Sequence, residues 1–126
     1  MRLSEVIDLT QARFFLPNPT EKPNPSMLGL DLQVGGSADL MSDVLCFNLS
    51  RGLLLTGLIN PQSVRTAEMA DVAALLIVRG KTPPPETVRI AWEVGIPIAG
   101  TQMTMFEACG RLYGAGLPAA ERTNGD

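Results

Sequence analysis

One stretch, Ala73 to Gly100, restricts the fold more than any other, because it holds a complete strand, helix, strand unit. Leu75 to Val78 is an unbroken, branched apolar run, the pattern of a strand buried on both faces. Arg79, Gly80 and Lys81 break that run with polar, turn-forming chemistry. Thr82 to Pro85 then reads as a helix entrance, since proline is tolerated in a first turn whose N–H groups lack partners. Val88, Ala91 and Trp92 recur at helical spacing and would cover a sheet. Gly95 supplies a C-cap, and Ile96 to Ala99 starts the next strand. Two short strands joined this way are expected to be parallel, with a right-handed crossover.

The same grammar extends in both directions. Ser4 to Thr10 predicts a short helix capped by Ser4, with Leu3, Val6 and Ile7 inward, and Ala12 to Leu16 an edge strand. Pro17 to Ser26, rich in Pro and Asn, is expected to be an exposed loop. Leu28 to Val34 reads as a strand closed by Gly35 and Gly36. Ser37 then caps a helix carrying Leu40, Met41, Val44 and Leu45, with Asp39 in its first turn, where a negative charge is favoured. After a turn at Asn48 to Arg51, Gly52 to Thr56 forms a strand, and Pro61 opens a helix whose apolar side is Val64, Ala67 and Met69 or Ala70. The last helix carries Met105, Phe106, Cys109, Leu112 and Tyr113 on or near its inner face and ends at Gly114 and Gly116. The expected fold is therefore α/β, a three-layer sandwich with a mostly parallel β-sheet built from repeated strand–helix units. Residues 1–116 form one domain and 117–126 a flexible polar tail.

Length and charge exclude several function classes. A chain of 126 residues buries a core without disulfides. A net charge of -3 without a basic cluster argues against nucleic acid as a partner. Glu5 and Asp8 interrupt the apolar residues of the N-terminus, so neither a signal peptide nor a membrane span is expected. Cys46 and Cys109 lack C-x-x-C spacing and lie in apolar, helix-like segments, which predicts two buried thiols in a reducing, cytoplasmic compartment. The chain has no histidine, and so no histidine-based acid/base chemistry or metal ligation. Neither G-x-G-x-x-G nor G-x-x-x-x-G-K-[ST] occurs, and no G-x-S-x-G elbow, which removes the common nucleotide and nucleophile motifs.

Candidate site residues follow from topology. If the strands are parallel, the junctions at Gly35 to Ser37, Gly57 to Asn60, Arg79 to Thr82 and Gly100 to Gln102 share the carboxyl edge of the sheet, where open α/β sheets bind ligands. Arg79 and Lys81 flank Gly80 and would hold a phosphate or carboxylate with the Gly80 amide, or simply end a solvated strand. Arg65, on a neighbouring helix, would reach the same cleft. Ser37 and Asp39 lie at the first junction; Asn60, Thr101 and Gln102 would cap helices or orient a ligand. Asp39 and Asp43, four residues apart, admit a Mg²⁺-dependent acid/base pair as a further alternative.

Several segments together resemble a known family: GGSADLMSDVL at Gly35 to Leu45, GLLLTG at Gly52 to Gly57, the run from Asn60 to Ile98 with its R-G-K and Pro-rich junction, and TMFEACGRLY at Thr104 to Tyr113. They are similar to the DRTGG domain, a relative of the N-terminal domain of HPr kinase/phosphorylase, across roughly Leu28 to Gly116. The resemblance implies a compact α/β domain that regulates or dimerises and accompanies CBS or pyrophosphatase domains. Free-standing members are associated with iron-only hydrogenases and anaerobic redox systems, which implies a protein partner there. It carries no catalytic residue, and the kinase's P-loop domain has no counterpart in these residues. The resulting expectation is a non-catalytic regulatory or ligand-sensing homodimer, without a cofactor or metal. It would bind a small anionic or nucleotide-like metabolite at the carboxyl edge. The alternative is a protein–protein assembly module in which the face from Met103 to Tyr113 meets a partner.

Overall fold

A computed structural model describes residues 1–123 of the chain. Its elements run α1 (Leu3–Thr10), β1 (Arg13–Phe15), α2 (Pro25–Leu28), β2 (Gly35–Ser37), α3 (Met41–Val44), β3 (Leu53–Thr56), α4 (Pro61–Met69), β4 (Ala74–Ile77), α5 (Pro85–Val94), β5 (Ile98–Gly100) and α6 (Met105–Gly114). The strands form a five-stranded sheet in the order β1-β5-β4-β3-β2. All pairings are parallel except that of β1 with β5, which places the antiparallel strand at one edge. Both faces of the sheet are covered, as a parallel sheet requires.

Register explains the two cores. Gly36, Leu54, Leu75, Ile98 and Phe15 stand opposite one another across the sheet. The leucines and isoleucine of that row pack with Val44 of α3, Val64 and Ala67 of α4, and Ala91 of α5. The next row, Leu55, Leu76 and Ala99, faces the other way, onto Leu3 and Val6 of α1 and Ala108 and Leu112 of α6. All three helices that connect parallel strands thus lie on one face, and the terminal helices on the other. The chain is a three-layer α/β sandwich.

Several expectations need correction. Leu28 to Val34 is not a strand. Asn24 accepts the Met27 N–H at 2.9 Å and Pro25 opens a single helical turn there, so the strand forms later, at Gly35–Ser37. The two glycines belong to that strand because large side chains lie on it: a Cβ on Gly35 would sit 2.7 Å from Leu117 Cδ2, and one on Gly36 3.0 Å from Leu49 Cδ2. Ser37 therefore caps no helix, and α3 is one turn preceded by Leu40, with only Val44 buried. At the start of the chain, Arg2 rather than Ser4 occupies the N-cap, and Glu5 accepts the Arg2 N–H at 3.1 Å.

Helix phases differ too. In α4, Val64 and Ala67 are buried and Ala70 packs against the same core, while Met69 is exposed; in α5, Trp92 is 46% exposed. In α6 the buried residues are Ala108 and Leu112, while Phe106 and Tyr113 are 80% and 70% exposed. Cys46 is exposed beyond the end of α3 and Cys109 is half-buried at the side of α6, so neither thiol belongs to a closed core. The stretch expected as a flexible polar tail returns along the sheet edge. Leu117 is buried, the Gly35 N–H donates to Pro118 O at 2.8 Å, and the Ala120 N–H donates back to Gly35 O at 2.8 Å. Residues 124–126 of that stretch lie outside the described residues.

Candidate functional site at the carboxyl edge

The strand ends determine which side chains meet. Beyond β4 the ladder continues, with the Val78 N–H donating to Thr56 O at 3.1 Å, before Arg79 and Gly80 turn the chain with φ of 63° and 67°. Two consecutive left-handed residues reverse the backbone sharply, a conformation that is unfavourable for a non-glycine residue such as Arg79. It is held by two amides, Arg79 N–H to Met103 O at 2.8 Å and Gly80 N–H to Thr101 O at 2.9 Å. The turn sends the Arg79 guanidinium across Gly57, at the end of β3. A Cβ on Gly57 would overlap Arg79 Nη2.

The third component comes from the end of β2. Asp39 Oδ1 accepts the Gly57 N–H at 2.7 Å, and its Oδ2 lies 4.0 Å from Arg79 Nη2. The Arg79 and Asp39 side chains are 42% and 50% exposed, so the pair is open to solvent and to a ligand. Three adjacent parallel strands thus deliver a carboxylate, a bare glycine amide and a guanidinium to one spot. The arrangement offers charge-assisted hydrogen bonding, with Asp39 as its one carboxylate. Asp39 and Asp43 belong to no metal-holding cluster of three or more acidic or thiol side chains among the described residues.

The other predicted residues divide by role. Asn60 is a cap: its Oδ1 accepts the Ser63 N–H at 2.9 Å while Ser63 Oγ accepts the Asn60 N–H at 2.9 Å, which closes the start of α4. Thr101 is buried, and its hydroxyl donates to Thr10 O at 2.6 Å and accepts the Met103 N–H at 3.2 Å. It supports the loop that holds Arg79 rather than facing a ligand. Gln102 packs over Gly80, whose missing Cβ makes room for the side-chain amide. Arg65 and Lys81 are exposed and make no hydrogen bond or ion pair to the cluster among the described residues. Ser37 is exposed in β2 and lines a separate, mainly apolar cavity of about 330 Å³ between that strand and the returning segment, together with Phe47, Leu49 and Tyr113.

Two features go beyond the expected site residues. Gly57, expected at this edge only as a junction residue, is as much a part of the cluster as Arg79, and its signal in sequence is a glycine directly after an apolar strand. The cavity beside β2 is not expected from the sequence, because its wall from Leu117 to Ala120, an apolar Leu-Pro-Ala-Ala, falls within the stretch read as a polar tail. The strand order from β2 to β5 also never reverses, so the sheet lacks the switch point at which doubly wound folds open a crevice. The carboxyl-edge cluster is correspondingly shallow.

No family model matches the chain, and no curated protein matches its sequence. A solved structure does share its fold: the CBS and DRTGG domains of the regulatory region of Clostridium perfringens pyrophosphatase, complexed with the activator diadenosine tetraphosphate. The TM-score is 0.65 at 19% sequence identity, over 98% of this chain and 51% of that one. The present chain thus spans about half the length of that relative. Among the described residues, no helix is long and apolar enough to cross a membrane.

Proposed function

We propose that this chain is a non-catalytic regulatory domain of the DRTGG kind, which senses a small anionic or nucleotide-like metabolite at the carboxyl edge of its sheet. The observation that carries the proposal is the convergence of Asp39, Gly57 and Arg79 from three adjacent strand ends. Arg79 holds a left-handed backbone, as Gln11, Arg51 and Asp71 also do, and the turn it makes with Gly80 is what carries its guanidinium to this edge. A half-exposed guanidinium with no hydrogen bond among the described residues suits an anion, whereas the Gly80 amide expected to assist it donates to Thr101 O instead. The shared fold with a nucleotide-activated regulatory region supports the same reading.

Calorimetric titration with pyrophosphate, AMP, ATP and diadenosine tetraphosphate tests it. At least one should bind, and Arg79→Gln should weaken that ligand by about 10-fold or more, the scale of a lost charge-assisted contact. Absence of binding at millimolar concentration, or binding indifferent to Arg79→Gln, would overturn the ligand reading. A second reading, a homodimeric assembly module, is favoured by the exposure of Phe106 and Tyr113 on α6.

A further inference from the structure

The carboxyl-edge cluster contains its own anion. Asp39 Oδ1 occupies the Gly57 N–H at 2.7 Å, which is the amide an anionic ligand would need. Yet the same carboxylate leaves Arg79 poorly served. Oδ2 stands 4.0 Å from Nη2, at the limit of an ion pair, and the Arg79 guanidinium makes no hydrogen bond among the described residues. The cluster is therefore satisfied on its amide side and unsatisfied on its guanidinium side.

We infer that Asp39 is an internal competitor for the anion site, and that the site consequently selects phosphoryl groups over carboxylates. The inference rests on reading this edge as an anion site. A tethered carboxylate acts at an effective concentration of roughly millimolar or above, so a free carboxylate, offering the same group, gains little by replacing it. A phosphoryl group differs in two respects. It carries a charge near −2 and three acceptor oxygens, so it can take the Gly57 amide with one oxygen and the Arg79 guanidinium with the others. Asp39, half-exposed, is then free to swing into solvent as the phosphoryl group enters. The tie between Asp39 and Gly57 joins the β2–α3 loop to the end of β3, so its release is also a local structural signal of occupancy.

Asp39→Asn separates these effects, because it keeps an acceptor for Gly57 and removes the competing charge. Inorganic pyrophosphate and citrate would be titrated calorimetrically into the wild-type chain, Asp39→Asn and Arg79→Gln at low ionic strength, with the Gly57 amide followed by NMR. Pyrophosphate should bind the wild type and shift the Gly57 amide, bind Asp39→Asn about 10-fold more tightly, and lose affinity for Arg79→Gln. Citrate should bind Asp39→Asn measurably better than the wild type. If Asp39→Asn binds pyrophosphate equally or less tightly while Arg79→Gln still loses it, the anion site stands and the competitor is overturned. An unmoved Gly57 amide in the saturated wild type overturns it without any substitution. If neither the wild type nor Asp39→Asn binds, the anion site itself falls and takes this inference with it.

Discussion

Gly57 shows how one missing side-chain atom can serve a site rather than a fold. Its backbone is not in the left-handed region, and the atoms that a Cβ would meet are the guanidinium of Arg79 and, at 3.4 Å, Asp39 Oδ1. The guanidinium is the far end of a flexible, half-exposed side chain and can move aside cheaply. Gly57 is buried, but the group that a new methyl would meet is free to move, so Gly57→Ala should leave stability within about 1 kcal/mol of the parent. It should nevertheless displace Arg79 and weaken pyrophosphate binding by about 10-fold. Thermal unfolding beside calorimetry separates the two effects; a large loss of stability would make Gly57 a packing residue instead. The Arg79 to Asp39 pair gives the same lesson, since a solvent-exposed pair contributes at most about 1 kcal/mol and offers a weak reason for Arg79 to hold a left-handed backbone.

Among the elements, the loop after β5 is the one on which the cluster depends. Thr101 ties it to the end of α1 through a buried hydroxyl at 2.6 Å from Thr10 O, and the same loop accepts the amides of Arg79 and Gly80. Thr101→Val preserves volume but removes the hydroxyl partner of Thr10 O and of the Met103 N–H, so it should cost about 1–3 kcal/mol in denaturant unfolding and loosen the loop that holds Arg79. Thr87 gives the opposite expectation. Its hydroxyl is buried in α5 without a hydrogen-bond partner among the described residues, so Thr87→Val should raise stability by up to about 1 kcal/mol. Equal destabilisation by both variants would show that the Thr87 hydroxyl is hydrogen-bonded as the Thr101 hydroxyl is, and would overturn this expectation. Legibility of the elements follows the same physics. Strands β3 and β4 were readable because every residue in them is buried and branched or apolar. Strand β2 was not, because Gly35 and Gly36 are defined by Leu117 and Leu49 lying on them, and no local pattern encodes that. Asp39 was expected at a helix start and instead bonds Gly57, eighteen residues on, a contact that only the assembled edge creates.

At the scale of the whole molecule, the helix α6 leaves the largest question of surface. Its apolar residues span a broad arc from Ala108 and Leu112 through Met105 and Cys109 to Tyr113 and Phe106, so periodicity alone does not choose between Leu112 and Phe106 as the inward residue; packing on β2 and β3 turns Ala108 and Leu112 in and leaves Phe106 and Tyr113 out. Those aromatics lie on one flank of the helix, and Glu107 and Arg111 lie on another, paired at 3.4 Å. Between them lies Gly110, where a Cβ would meet nothing within 4 Å among the described residues, so none of them demands a glycine there, although glycine costs a helix interior about 1 kcal/mol. An antiparallel, twofold crossing of two α6 helices brings like flanks together. Phe106 then meets the second copy's aromatic flank, Glu107 meets the opposite charge on the like flank, and the glycine permits close approach. A parallel crossing would set aromatics against charges. The expected result is a dimer by light scattering at about 100 μM, a concentration suited to the affinities of modest interfaces. The paired change Phe106→Ser with Tyr113→Ser should return it to a monomer with little change in unfolding temperature extrapolated to low concentration, because both side chains face solvent in the single chain. Salt should weaken a dimer that relies on the charged flank. A wild-type monomer at this concentration would remove assembly as a role for α6, and a dimer unaffected by the paired change would move the interface elsewhere, with the apolar cavity beside β2 the next surface to test.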